Sequence, residues 1–337
     1  MKSLFDPTEI NHLKLKNRLF RSATWDGLAG KDGDLPDEVF DIYSNLAKGG
    51  VGTIITGLTD VHQNDQALPG NMRLYSDRLI PVYKRLTNIV HNYDCSILLQ
   101  LNMNKFVSSN KYPHTISIDE LSEEDISEII DSFTKAAARA EKAGFDGVQI
   151  HLAYGWLLNR FVNPIYNHRT DNYGNTPENR ERIVCEIIRK IRDNSDTHIS
   201  AKFSFFAGEN GSFDVMSGVE ICSTLSKAGI DSIEVLGEHS PQEEGTKFES
   251  CYLNLALAVK NAVDAPVILT GNNHDIYNME LLLNEQNIEY FALCRPLIRE
   301  PDLPNRWEAG NRFKAQCISC NSCYNTYGKR CIFVEKN

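Results

Sequence analysis

The chain of 337 residues is long enough for two average domains or for one barrel of repeated βα units, and its 42% hydrophobic and 24% charged residues exclude a disordered or fibrous protein. A formal net charge of −10, spread without long single-sign blocks, argues against a nucleic-acid partner. No apolar run approaches the roughly 18 residues of a membrane span, and Met1 to Pro7 lacks the apolar stretch of a secretory signal, so the expectation is a cytoplasmic protein without a membrane partner.

In chain order, short segments rich in β-branched and aromatic residues alternate with longer stretches of helical apolar spacing. The predicted strands are Asn17 to Thr24, Gly52 to Thr56, Ser96 to Leu101, Gly147 to His151, Ile199 to Phe203, Ser232 to Leu236, Pro266 to Thr270 and Tyr290 to Cys294. The predicted helices are Asp37 to Lys48, Asp77 to Asn92, Ser122 to Ala143, Pro177 to Asn194, Val215 to Ala228, Phe248 to Ala262 and His274 to Glu285. Ser122 and Asp125 stand at capping-box spacing, and Gly49, Gly144 and Gly229 follow basic last turns. Apolar runs without alternation, such as Ile97-Leu98-Leu99, suit parallel strands covered on both faces. Eight such units predict an α/β fold, a (β/α)8 TIM barrel, with an open doubly wound sheet as the rival. The barrel is expected over 1–310, followed by a short cysteine-rich C-terminal extension over 311–337.

In such a barrel the chemistry lies at the C-terminal ends of the strands. Gln100 ends an apolar run with an amide able to bind a pyrimidine edge, or else is a rim residue satisfied by backbone. Lys202 alternates with Ser200 and Ser204; facing inward, its ammonium calls for an anion or polar ligand, and otherwise it is a solvated lysine. Gly271-Asn272 after strand seven and Cys294-Arg295 after strand eight occupy the two loops that commonly bind phosphate in this fold. After strand four, His151, Tyr154 and Trp156 place an imidazole, a phenol and an indole where a substrate would lie. The sequence lacks GxxxxGK[ST], GxGxxG and HExxH.

Taken together, the stretches LFDPTEINHLKLKNRLFRSAT, GVGTIITGLTDV, LLQLNM, GFDGVQIHLAYGWLLNRFVNPIYNHRTDNYGNTPENR, VILTGNN and ALCRPLIREPDL, from Leu4 to Leu303, resemble the old yellow enzyme family of NAD(P)H-dependent FMN oxidoreductases. The resemblance implies FMN across the barrel mouth. Ser22, Ala23, Thr24 and Gly57 would approach the ring, Gln100 its pyrimidine edge and Lys202 its N1 and O2 region. Gly271, Asn272, Cys294 and Arg295 would take the phosphate. It also implies that NAD(P)H enters the substrate cavity itself, and a homo-oligomer is compatible with it. The substrate side departs from the family pattern. Tyr154 stands where a histidine or asparagine partner of His151 is usual, Trp156 replaces the usual proton-donating tyrosine, and Trp25 replaces a small or sulfur-bearing residue, which narrows the pocket.

Four of the nine cysteines form the run Cys317-x2-Cys320-x2-Cys323-x7-Cys331. It resembles, with shorter spacing, the cysteine segment that holds a [4Fe–4S] cluster in 2,4-dienoyl-CoA reductases; cluster, structural zinc and a metal-free remnant are the alternatives. The function expected is reduction of activated alkenes, enones or related small molecules, by hydride from reduced FMN, with His151 and Tyr154 polarising the acceptor oxygen. The alternative is a flavin/iron–sulfur subunit that passes electrons to a partner protein. A lyase or isomerase using Lys202 covalently leaves Gln100 and the phosphate loops unexplained.

Overall fold

A computed structural model of the protein describes residues 1–65, 68–104, 117–206, 214–237 and 248–334. Eight parallel strands form its centre: β1 (Leu19–Arg21), β2 (Thr53–Ile55), β3 (Ser96–Asn102), β4 (Gly147–Leu152), β5 (His198–Phe205), β6 (Ser232–Gly237), β7 (Val267–Thr270) and β8 (Tyr290–Leu293). Each pairs with its successor and β8 pairs back to β1, Phe291 opposite Leu19, so the sheet closes into a (β/α)8 barrel. Closure removes both sheet edges, which an open doubly wound sheet would leave.

The outer layer contains α1 (Asp37–Lys48), α2 (Ile80–His91), α3 (Glu123–Lys142), α4 (Leu157–Val162), α5 (Pro177–Arg192), α6 (Val215–Ala228), α7 (Leu253–Lys260), α8 (Ile276–Glu285), α9 (Arg295–Arg299) and α10 (Leu303–Glu308). The Ser122–Asp125 capping box forms at the start of α3. Gly229 ends α6 at φ 106°, a left-handed conformation that favours glycine. The helix expected from Phe248 begins only at Leu253, because Ser250 turns at φ 49° and Cys251 donates its N–H to the Gly271 carbonyl. That stretch braces the loop after β7 instead of coiling. The short helices α4, α9 and α10 lie within or beyond predicted loops, too brief for a periodic signal.

An N-terminal hairpin, Thr8–Ile10 against Leu13–Leu15, was also absent from the sequence reading. Its Ile10, Leu13 and Leu15 cluster with Phe20, Leu98, Ile268 and Tyr290 and close the barrel floor. The interior is therefore apolar at the bottom and polar above. Beyond α10, the chain crosses the loops after β7, β8 and β1. Ala315 donates its N–H to the His274 carbonyl, and Lys329 lies 4.4 Å from the Trp25 ring centre. Residues 335–337 of the expected extension lie outside the described residues. Among the described residues no helix is long and apolar enough to cross a membrane.

Candidate active site

Strand register places the polar interior. Gln100 stands opposite Gln149 and Gln149 opposite Ser200; one step up, His151 stands opposite Lys202 and Lys202 opposite Glu234. Because alternate residues of a strand share a face, the register turns all of these inward. Glu234 is fully buried, yet its carboxylate accepts from Ser22 Oγ at 2.5 Å, Thr270 Oγ1 at 2.8 Å, Gln149 Nε2 at 2.9 Å and Lys202 Nζ at 3.0 Å. Burial pushes its acidity down, but the Lys202 charge and the hydrogen bonds from Ser22, Gln149 and Lys202 outweigh that and hold the carboxyl below its ordinary range. Lys202 thus does not wait for a ligand to neutralise it, as its sequence context suggests; Glu234 already does so, and the Ser22 hydroxyl accepts from the same ammonium at 2.7 Å. Glu234 and Gln149 escaped the sequence reading, although both interrupt apolar strands at the inward step of the same alternation that exposed Lys202.

Above this layer opens a cavity of about 680 Å3, lined by Ser22, Ala23, Thr24, Trp25, Gln100, His151, Tyr154, Trp156, Lys202, Gly271, Asn272, Cys294 and Arg295. Gly57 is the one non-metal candidate that does not line it. Its N–H donates to the Tyr43 hydroxyl at 2.9 Å, and a Cβ there would stand 2.8 Å from the Thr24 carbonyl oxygen, so Gly57 acts by letting the Thr24 segment approach. Gln100 Nε2 donates to Gln149 Oε1 at 2.8 Å, leaving Oε1 without a hydrogen bond among the described residues. The amide therefore offers the cavity an acceptor, which suits an imide N–H.

His151 is buried, and burial, followed by the nearby Lys202 charge, lowers its pKa to about 3, so the ring is neutral at neutral pH. Its Nδ1 is 3.0 Å from Asn102 Oδ1, while the buried Asn102 amide nitrogen makes no hydrogen bond among the described residues. With an oxygen facing it, Nδ1 carries the proton and Nε2 is left as an acceptor. Tyr154 turns at φ 58°, a left-handed conformation that is 47% exposed, and its ring centre is 6.2 Å from that of His151; Trp156 is 5.9 Å away.

At the other end, Arg295 is buried with neutral partners only: Nη1 donates to Asn321 Oδ1 at 2.8 Å and Nη2 to Asn272 Oδ1 at 3.2 Å. No carboxylate approaches it within 4 Å among the described residues, and a buried cation without a counterion favours an anionic ligand. Gly271 beside it sits at φ 114°, and a Cβ there would meet the Tyr252 ring at 2.5 Å. Only glycine leaves the backbone close to the ligand space. This donor set fits a phosphate. The tail contributes Tyr324 and Lys329 to the same cavity wall, residues for which the sequence held no signal.

Cys317, Cys320, Cys323 and Cys331 all border one small cavity of about 20 Å3 together with Arg295 and Arg299, whose Nη1 lies 3.8 Å from Cys331 Sγ. Hydrogen bonds from Ser322 lower the Cys320 pKa, whereas burial raises those of Cys317 and Cys323. Among the described residues no group of three or more His, Cys, Asp or Glu side chains is arranged to hold a single metal ion. A preformed zinc site, one of the expected alternatives, is therefore absent from them.

The fold and this cavity together define a TIM-barrel protein whose mouth suits a phosphate-bearing cofactor. The model of the NADH:flavin oxidoreductase / NADH oxidase family matches residues 3–313, and the chain belongs to that family of oxidoreductases, to which FMN and NAD(P)H are common. It is 30% identical over 342 residues to a metal reductase of Desulforamulus reducens, covering 95% of this chain and 51% of that protein. It is likewise 30% identical over 366 residues to a cinnamate reductase of Clostridium sporogenes, covering 95% and 55%. The chain thus spans about half the length of these two relatives. A solved 2-naphthoyl-CoA reductase shares the fold with a TM-score of 0.88 at 22% identity, over 97% of this chain and 56% of that one.

Proposed function

We propose that the protein binds FMN across the barrel mouth and works as an NAD(P)H oxidoreductase that reduces activated alkenes, enones or related small molecules. The observation that carries this reading is the two-ended cavity. Gln100 and Lys202 offer an acceptor and a donor on its floor, Gly271, Asn272 and Arg295 an anion cradle at one end, and His151, Tyr154 and Trp156 a polar aromatic wall at the other. Bound there, FMN supplies the hydride transfer between NAD(P)H and the acceptor. Ser22, Ala23, Thr24 and Cys294, which line the cavity, would hold the ring, and Trp25 would narrow the substrate side. The Lys202–Glu234 pair would present a fixed positive group to the cofactor while Glu234 balances its charge.

Tyr154 donates to the acceptor oxygen in this reading. His151, its Nε2 an acceptor while Nδ1 donates to Asn102, orients the tyrosine or the substrate; it donates to the oxygen only after the Asn102 amide turns over. Trp156 is too weak an acid to protonate carbon, so water supplies that proton. The test is a visible spectrum of the purified protein followed by anaerobic titration with NADH and NADPH. One FMN per chain, bleached by either nicotinamide and reoxidised by an enone, is expected; stoichiometric FAD, or apoprotein that ignores added FMN, overturns the reading.

The cysteine tail supports a second, compatible reading. Four thiols border one cavity with two guanidiniums to offset thiolate charge, and a [4Fe–4S] cluster is the group that ligation by four cysteines beside a flavin barrel would hold. Held by Cys317, Cys320, Cys323 and Cys331, such a group would supply one-electron chemistry toward a partner protein. Iron, zinc and acid-labile sulfide measured after anaerobic purification decide it: absence of all three retires the extension's metal role.

A further inference from the structure

A second cavity stands beside the first. It encloses about 1180 Å3 outside the barrel wall, between α1 and α9, roofed by tail residues from Thr326 onward. Its walls are apolar, with Ile42 and Leu46 from α1 and Leu297 and Ile298 from α9, and it adjoins the flavin cavity through Thr24, Ile298 and Lys329, which line both. Ligand pockets are mostly apolar with a few placed polar groups. Here those groups are unusual in sign: in a chain of net charge −10, Arg21, Lys329 and Arg330 face one carboxyl, that of Asp26.

Arg21 is the key residue. It points away from the barrel interior, opposite Phe20 and Ser22, and is only 6% exposed. One guanidinium nitrogen, Nη1, donates to the Cys294 carbonyl; its other N–H groups make no hydrogen bond among the described residues, are not sealed off, and open on the cavity. No carboxylate lies within 4 Å of it among those residues. Asp26 is farther away and accepts from the Leu28 N–H at 3.1 Å; burial raises it to about 6, so at neutral pH it is mostly ionised, but it makes no direct ion pair with Arg21. A buried guanidinium with unused donors in an apolar chamber is complementary to one anionic head on an apolar body.

We propose that this cavity binds an apolar monocarboxylate, with the carboxylate on Arg21 and the hydrocarbon between α1 and α9. The site lies beside the redox cavity, with which it shares Thr24, Ile298 and Lys329, but its recognition group Arg21 lines only this chamber, and the proposal does not depend on the flavin reading. Isothermal titration of the purified holoprotein with dodecanoate, below its micelle concentration, tests it against dodecanol. One dodecanoate per chain is expected, with dodecanol and the Arg21→Met variant each binding about 10- to 100-fold more weakly, the range for a lost charge-assisted pair. Ile42→Trp, which fills the chamber without touching the charge, also abolishes binding, and His151→Ala leaves it intact. Equal binding of dodecanol, or full binding by Arg21→Met, removes Arg21 from recognition and overturns the proposal. Loss in His151→Ala moves the acid to the redox cavity and overturns it equally. Should Arg21→Met fail to fold, the dodecanoate and dodecanol comparison on the unaltered protein still decides.

Discussion

At the residue scale, the buried charges make the sharpest commitments. Glu234 is surrounded by four donors, and removing its charge leaves the Lys202 ammonium alone in the barrel. Glu234→Gln is expected to cost about 3–5 kcal/mol, the range for breaking a buried pair, and adding Lys202→Met to it should restore much of that loss. Urea unfolding of both variants checks this; additive losses would show that the pair is not coupled. For Arg295 the discriminating ligand is riboflavin, which lacks the phosphate. Arg295→Ala should weaken FMN binding by about 10- to 100-fold while riboflavin binding stays level, measured by flavin fluorescence quenching. Tyr154→Phe should slow enone reduction by roughly 10²-fold, as loss of one oxyanion donor does, and leave anaerobic flavin reduction in place. Full enone turnover in that variant would reduce Tyr154 to a pocket wall.

At the scale of elements, the tail and the phosphate loops meet at one side chain. Arg295 opens α9, yet its donors are held by Asn272 after β7 and by Asn321, which lies between Cys320 and Cys323 at φ 61°. Whatever orders the cysteine loop therefore also orders the arginine proposed to hold phosphate. Asn321→Ala is expected to weaken FMN binding several-fold and to spare riboflavin, the same signature as Arg295→Ala at smaller size. A parallel loss of riboflavin would instead mean that the tail supports the whole mouth. The N-terminal hairpin is a separate element with a separate job: Leu13→Ala opens the barrel floor, for an expected loss of about 2–5 kcal/mol without change in the flavin spectrum.

For the whole molecule, the buried titratable groups set the pH dependence of stability. Burial, then repulsion from Asp65, raises Asp60 from 3.8 to about 8, so between those values the folded chain binds a proton that the unfolded chain has lost. Stability therefore falls as pH rises through that window. His151 works in the opposite sense: the folded chain binds fewer protons between about 3 and 6.5, so its contribution is complete above 6.5 and is lost as pH falls toward 3. Between pH 6.5 and 8 only the Asp60 effect of these two remains, and Asp60→Asn should flatten the fall of the thermal midpoint there. An unchanged slope would show that Asp60 is ionised in the folded state.

The sequence by itself determined the barrel: the eight strands, the long helices around them and the Ser122 cap follow from apolar period, β-branched content and local side-chain chemistry, all readable within a short window. It also determined which polar residues end the strands, because alternation and position are local. Tertiary structure alone decided what those residues meet. Lys202 and Glu234 stand on neighbouring strands separated by a helix, and their pairing depends on register across the closed sheet. Gly57, at a strand end like the others, turned out to support Thr24 from behind. The hairpin under the floor, the tail residues Tyr324 and Lys329 in the mouth, and the Arg21 chamber between α1 and α9 are contacts between segments distant in the chain. No periodicity encodes such contacts, since each is chosen by how the folded layers leave space.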